Sequence, residues 1–144
     1  MYQLILLKNN ILEVRIFKTQ SEAYAYVAKD SFNKYKIYSP NQNRKLDFLS
    51  SYYWSDEKQD FIINVEIAKE IKRNLFREVR AVLFEKLDKA FMKALEQDDA
   101  ERKAYIINLK NQFRDITEIT LPDTEEELIN FIPEVFKEVY DLVV

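Results

Sequence analysis

Residues 65–97 read VEIAKEIKRNLFREVRAVLFEKLDKAFMKALEQ. Apolar side chains recur at Ile67, Ile71, Leu75, Val79, Leu83, Leu87, Phe91 and Leu95, and Ala68, Phe76, Val82, Ala90 and Ala94 widen the stripe. This is the spacing of an amphipathic helix, and neither proline nor glycine interrupts it. Unbroken, it would extend about 50 Å, longer than a small domain is wide, so it either kinks or projects. Gln97-Asp98-Asp99 ends the pattern. Asp98 or Asp99 can cap a second helix from Ala100 to Arg114, whose apolar side is Ala104, Ile107, Leu109 and Phe113. So short a connection predicts an antiparallel helical hairpin.

Upstream the periodicity changes. Tyr2 to Leu7 is apolar and β-prone, Asn9-Asn10 tolerates the positive φ of a tight turn, and Ile11 to Lys18 alternates apolar with polar residues. Together these read as a β-hairpin. Thr19-Gln-Ser-Glu22 is a capping box that opens a short helix to about Ala28, and Tyr35 to Tyr38 is a third strand ended by Ser39-Pro40. Residues 39–60 are the least regular, with a polar loop followed by the aromatic cluster Tyr52-Tyr53-Trp54, which is either cover for the core, the favoured reading, or a surface patch. Phe61-Ile62-Ile63 adds a last strand before Asn64, a cap for the long helix.

Downstream, Ile116 to Leu121 fits either a short helix or an extended link. Thr124-Glu-Glu-Glu127 is a second capping box, and Pro133 ends that helix and opens a terminal one with Val135, Phe136, Val139, Tyr140 and Leu142 on its apolar side. The expected fold is α+β. Residues 1–60 form a ββαβ unit with an aromatic loop, and residues 61–144 form a long helical hairpin and two short acidic helices.

Composition narrows the chemistry. Among 144 residues there is no glycine, histidine or cysteine, whereas typical usage predicts roughly ten glycines. Without glycine there is no P-loop, dinucleotide fingerprint or nucleophile elbow. Without histidine and cysteine there is no imidazole base, Cys–His nucleophile or ordinary zinc site. The abundance of Lys, Asn, Ile, Tyr and Phe also fits an AT-rich genome, which lowers glycine without a functional cause. The expectation is a binding or assembly protein that is not an enzyme and holds no cofactor or metal. No disulfide framework, signal peptide or membrane span is read, so the expected location is the cytoplasm. Net charge is −3, with residues 98–144 carrying five basic and twelve acidic groups. That imbalance suggests an internal match or a basic partner and makes nucleic acid an unfavoured one.

Two groups of side chains are candidates for a partner surface. Lys69, Arg73, Arg77 and Arg80, with Lys72, put basic charge on one side of the long helix. The simpler reading is a solvated face laced by Glu66, Glu70 and Glu78, or a dock for the chain's own acidic helices. Phe76, Phe84 and Phe91 on the long helix and Tyr105 on the next are the apolar candidates. Phe84 falls off the main stripe and would mark an interface if exposed beside Tyr105. Glu85, Asp88, Glu96 and Glu101 face no histidine with which to build a metal pair. A carboxylate-and-lysine nuclease centred on Glu66 and Lys69 would sit on a helix face and not in a cleft.

The stretch from Ile67 to Phe136 resembles a C-terminal module of small proteins encoded among the tail genes of proteobacterial phages and prophages. The matching words are Ala68-Lys-Glu-Ile71, the basic run Arg73 to Arg80, and Leu83-Phe-Glu-Lys-Leu-Asp-Lys-Ala-Phe-Met-Lys-Ala-Leu-Glu96. They continue with Gln97-Asp-Asp99, Leu109-Lys-Asn-Gln-Phe-Arg-Asp-Ile-Thr117, Thr124-Glu-Glu-Glu-Leu128 and Ile132-Pro-Glu-Val135. The chain departs from the module at the short link Glu118 to Asp123 and at Ile132, where the module carries an aromatic. The resemblance implies a tail assembly chaperone or small structural adaptor whose partner is a tail protein or a second copy of this chain, in the host cytoplasm or the virion. It brings no functional residue with it. The alternative is an anti-defence or regulatory protein of a mobile element that inhibits a host protein through its acidic end, Asp115 to Asp141.

Overall fold

Leu4, Ile5 and Leu6 are completely buried in the first strand, and the N-terminal part of the protein is built around them. The computed structural model describes residues 1–143, with side chains as far as Val139, so Tyr140, Asp141 and Leu142 have side chains outside the described residues. The fold is α+β, with a three-stranded sheet and one helix, then a long helix, a second helix and two short ones. Two compact units divide at Ala68, inside the long helix.

In the first unit, β1 (Tyr2–Lys8) and β2 (Ile11–Phe17) form the expected hairpin. Its turn residues Asn9 and Asn10 have φ of 53° and 63°. Two successive left-handed residues match the twist of the strands, and asparagine accepts this conformation more readily than other non-glycine residues. Thr19 caps α1 (Gln20–Asp30), its Oγ1 accepting from the Glu22 N–H at 3.2 Å. Ser31, at φ 52°, closes the helix where glycine is usual. β3 (Tyr35–Tyr38) pairs antiparallel with the other side of β1, giving the order β2-β1-β3.

Leu4 and Leu6 face α1 and pack with Val27, while Phe17, Tyr26, Phe32, Tyr35 and Ile37 close around them. The alternation in β2 places its charged side toward the helix. Glu13 accepts from the Tyr26 hydroxyl at 3.3 Å and the Arg15 guanidinium lies 5.5 Å from the centre of the same ring.

The irregular stretch after β3 is more ordered than the sequence suggests. Two 3₁₀ turns, Pro40–Gln42 and Leu46–Ser51, lead into β4 (Tyr52–Ser55), which pairs with β5 (Asp60–Ile63) as a separate ribbon. The aromatic cluster is therefore a strand. Successive side chains of a strand point to opposite faces, so Tyr52 is buried, Tyr53 is exposed and Trp54 packs edge-on to its cross-strand neighbour Phe61 at 5.1 Å.

The long helix α2 (Val65–Glu96) is one unbroken run of 32 residues, capped by Asn64, whose Oδ1 accepts from the Ile67 N–H at 3.2 Å. Its buried residues are Ala68, Lys72, Phe76, Leu83, Leu87 and Ala94. These mix steps of four and seven, and so stay on one side of a helix with 3.6 residues per turn. A strict step of four gains about 40° each time. The run from Ile67 to Leu95 therefore winds off the buried side, and both its ends are exposed, at 44% and 49%.

Asp99 caps α3 (Ala100–Arg114), accepting from the Arg102 N–H at 3.0 Å, while Asp98 supplies the left-handed residue at φ 54°. The buried side of α3 is Ile106, Leu109 and Phe113. Ile107, expected on that side, is 48% exposed. Ile116 to Leu121 is a turn that buries both of its end residues. Thr124 stands at the start of α4 (Glu125–Asn130), but its side chain accepts no capping bond. The buried Pro133 precedes α5 (Glu134–Val143). Five rings fill this core in a chain of contacts, Phe84–Phe113–Phe136–Phe76–Phe131, with centroids 5.4–6.2 Å apart. Their tilted and edge-on geometry is the one that ring quadrupoles favour.

Candidate functional site

The basic residues of α2 are engaged with their own chain. Lys69 donates to Asp123 at 2.6 Å, and the 7% exposed Lys72 donates to the Ile129 carbonyl at 2.8 Å. Burial lowers the Lys72 ammonium below the usual lysine range. Arg73 and Arg77 reach Glu70 at 3.7 and 3.3 Å. Arg80 donates to the carbonyls of Phe113 and Arg114 at 3.3 Å each, which places a cation at the C-terminal end of α3, where the helix dipole favours it. The segment from Leu121 to Asn130 is thus held on α2 by Lys69 and Lys72.

The apolar candidates separate. Phe76 is 4% exposed and lies inside the ring chain. Phe84 is half-buried, edge-on to Phe113 at 5.6 Å, so the ring that falls off the stripe is held by α3. Phe91 is half-buried beneath the Lys110 ammonium, which lies 5.2 Å from its centre and pairs with Asp88. Tyr105 is 44% exposed.

The contacts of Asp88 with Lys110 and of Arg80 with Phe113 set the antiparallel register of α2 and α3. They bring Tyr105 level with Met92 and leave Met92, Leu95, Tyr105 and Ile107, each 44–54% exposed, toward the turn end of the hairpin. Among the described residues no three carboxylates converge as a metal would require, and no helix is long and apolar enough to cross a membrane.

One polar cluster escaped the sequence reading because its members lie far apart in the chain. The Tyr38 hydroxyl donates to Asp60 Oδ1 at 2.5 Å, and Arg44 approaches Asp60 at 3.5 Å and donates to the Phe61 carbonyl at 3.0 Å. The Arg44 guanidinium lies 5.1 and 5.3 Å from the ring centres of Tyr38 and Tyr52. Gln3 exchanges two bonds with the Arg44 backbone, at 3.1 and 2.6 Å. Among the described residues no buried side-chain polar atom lacks a partner, so this is a satisfied network that fastens residues 39–63 to the sheet.

Burial first, and then the bond to Asp60, hold the Tyr38 phenol well above its ordinary value. Deprotonation is then easier in the unfolded chain. The stability owed to this group is complete below about pH 10 and falls above it by about 1.4 kcal/mol per pH unit. Urea unfolding followed by Trp54 fluorescence between about pH 8 and 11 should show the fall, and Tyr38→Phe should remove that share of the slope.

Against known protein families, curated proteins and solved structures, the chain shows no match.

Proposed function

We propose that this chain is a non-enzymatic component of a phage or prophage tail module, an assembly chaperone or small structural adaptor that binds another tail protein. The observation that carries this reading is the exposure of four apolar side chains toward the turn end of the hairpin, Met92 and Leu95 on α2, and Tyr105 and Ile107 on the two flanks of the buried Ile106 on α3. Side chains of this kind, on a rigid helical pair, suit an apolar helical surface of a partner. The resemblance of residues 67–136 to the tail-region module supplies the biological setting, the cytoplasm of the bacterial host. The basic side of α2 has a smaller share in this reading, because Lys69, Lys72 and Arg80 are already used within the chain.

Co-expression with the genes that flank its own tests the reading. The protein is expected to capture one tail protein. The double substitution Tyr105→Glu and Ile107→Glu is expected to abolish capture while leaving the unfolding free energy within about 0.5 kcal/mol of wild type, as for exposed positions. Capture of no tail product sinks the proposal. A light-scattering mass of a dimer, lost in the same variant, identifies a second copy as the occupant. Salt-sensitive capture of a basic host protein, indifferent to the two substitutions, would favour the acidic mimic instead.

A further inference from the structure

β3 is an outer strand of the three-stranded sheet, and beside it opens a cleft of about 490 Å³. The bond from the Leu7 N–H to the Lys34 carbonyl at 3.0 Å sets the phase of the β1–β3 ladder. Alternate residues of an antiparallel strand bond to the same side, so Lys34, Lys36 and Tyr38 turn their backbone groups to β1. The N–H and C=O of Tyr35 and Ile37 therefore turn outward, and both residues line the cleft. Among the described residues no hydrogen-bond partner meets them. An open strand edge of this kind is a template for another strand.

The side chains around the edge are sorted by face. Tyr35 and Ile37 share the α1 side of the sheet with Phe32, and Tyr24 reaches the cleft from α1. Lys36 lies on the other side, in register with Ile5, and Trp54 and Gln59 line the cleft from the β4–β5 ribbon. Trp54 Nε1 already donates to Asp56 at 2.8 Å, and Gln59, at φ 49°, donates to the Asp56 carbonyl at 2.7 Å, so both are held in place. Among the described residues Lys36 has no ion pair, Tyr24 has neither a hydrogen bond nor a ring partner, and no carboxylate lines the cleft.

We propose that this edge takes an extended segment of a partner protein as a fourth strand, with an acidic side chain opposite Lys36 and apolar or aromatic side chains on either side of it. Directly opposed residues of neighbouring strands share a face. The two flanking side chains thus meet Tyr24, Phe32, Tyr35 and Ile37, and the acidic one meets the free ammonium. The main-chain bonds to Tyr35 and Ile37 supply attachment and the alternation supplies selectivity. The site belongs to the first unit and shares no residue with the exposed side chains of the α2–α3 hairpin, so either surface can fail its test without the other.

The probe is a fluorescein-labelled peptide, Ser-Thr-Val-Glu-Phe-Thr-Ser, titrated into the isotope-labelled full-length protein. Binding is expected to shift the amide resonances of Tyr35, Lys36 and Ile37 and to slow hydrogen exchange at Tyr35 and Ile37. N-methylation of the peptide's valine and phenylalanine should abolish binding. Replacing its glutamate with lysine should weaken binding about five- to tenfold, and Lys36→Glu should restore that loss by reversing the preference. The proposal is overturned if no shift appears at these amides, if the N-methylated peptide binds equally well, or if Lys36→Glu leaves the preference unchanged.

Discussion

Replacing Phe113 with alanine is expected to destabilise the helical unit by about 3–5 kcal/mol, most of the margin of a small domain. Phe113 is completely buried, with Phe84 and Phe136 against it at 5.6 and 5.4 Å. Truncation removes the transfer energy of the ring and leaves a cavity that α2, α3 and α5 cannot all close upon. It also removes two ring pairs of about 0.5–1.5 kcal/mol each. Urea denaturation followed by far-ultraviolet circular dichroism reads the effect, because residues 69 onward are mostly helical. Phe113→Leu, which keeps much of the volume, should cost only about 1–2 kcal/mol. Phe91→Ala is the contrasting case, since that ring is half-buried and covered by a lysine. A Phe113→Ala loss no larger than that of Phe91→Ala would mean that the ring chain is not the core of this unit.

Arg44→Ala is expected to cost about 2–4 kcal/mol in the first unit, less than for a fully buried partner because 18% of the side chain remains exposed. The substitution leaves the partly buried Asp60 carboxylate, 27% exposed, without its cation, and among the described residues Tyr38 and the Phe61 N–H remain to bond it. It frees the Phe61 carbonyl and uncovers the faces of Tyr38 and Tyr52. Arg44→Lys keeps the charge but loses the planar fork that reaches a carboxylate, a carbonyl and two rings together, so it should recover less than half of the loss. Trp54, the only tryptophan, reports the transition from β4. A wild-type midpoint for Arg44→Ala would show that residues 39–63 are held by apolar packing alone.

Much of the fold is legible in the chain because it is written in local terms. The Asn9-Asn10 turn, the caps at Thr19, Asn64 and Asp99, and the uninterrupted 65–96 helix each depend on residues within a few positions of one another. The errors come where local signals compete with packing. The step-of-four run promotes Ile67 and Leu95 to the core, although it precesses about 40° per step, and the structure exposes both while it buries Lys72. The Tyr52-Tyr53-Trp54 cluster has the alternation of a strand, but its partner at Asp60–Ile63 follows a turn that lacks any glycine signal. The left-handed position there is filled by Gln59, a residue no turn rule would choose.

The candidate surfaces divide in the same way. The basic residues of α2 and the acidic C-terminal third were visible as opposites, and Lys69 with Asp123 joins them. That Lys72 would be buried against a carbonyl, and that Gln3, Tyr38, Arg44 and Asp60 would meet, depends on contacts spanning up to 57 residues.

Helix period, capping and the absence of glycine were enough to determine an α+β chain with a long helix turning back on itself, because these act over one or two turns of backbone. Which face of that helix is core, which lysine is buried and which strand edge stays open were decided by tertiary structure. Each depends on what the rest of the chain leaves uncovered once the apolar area is shared out among the elements.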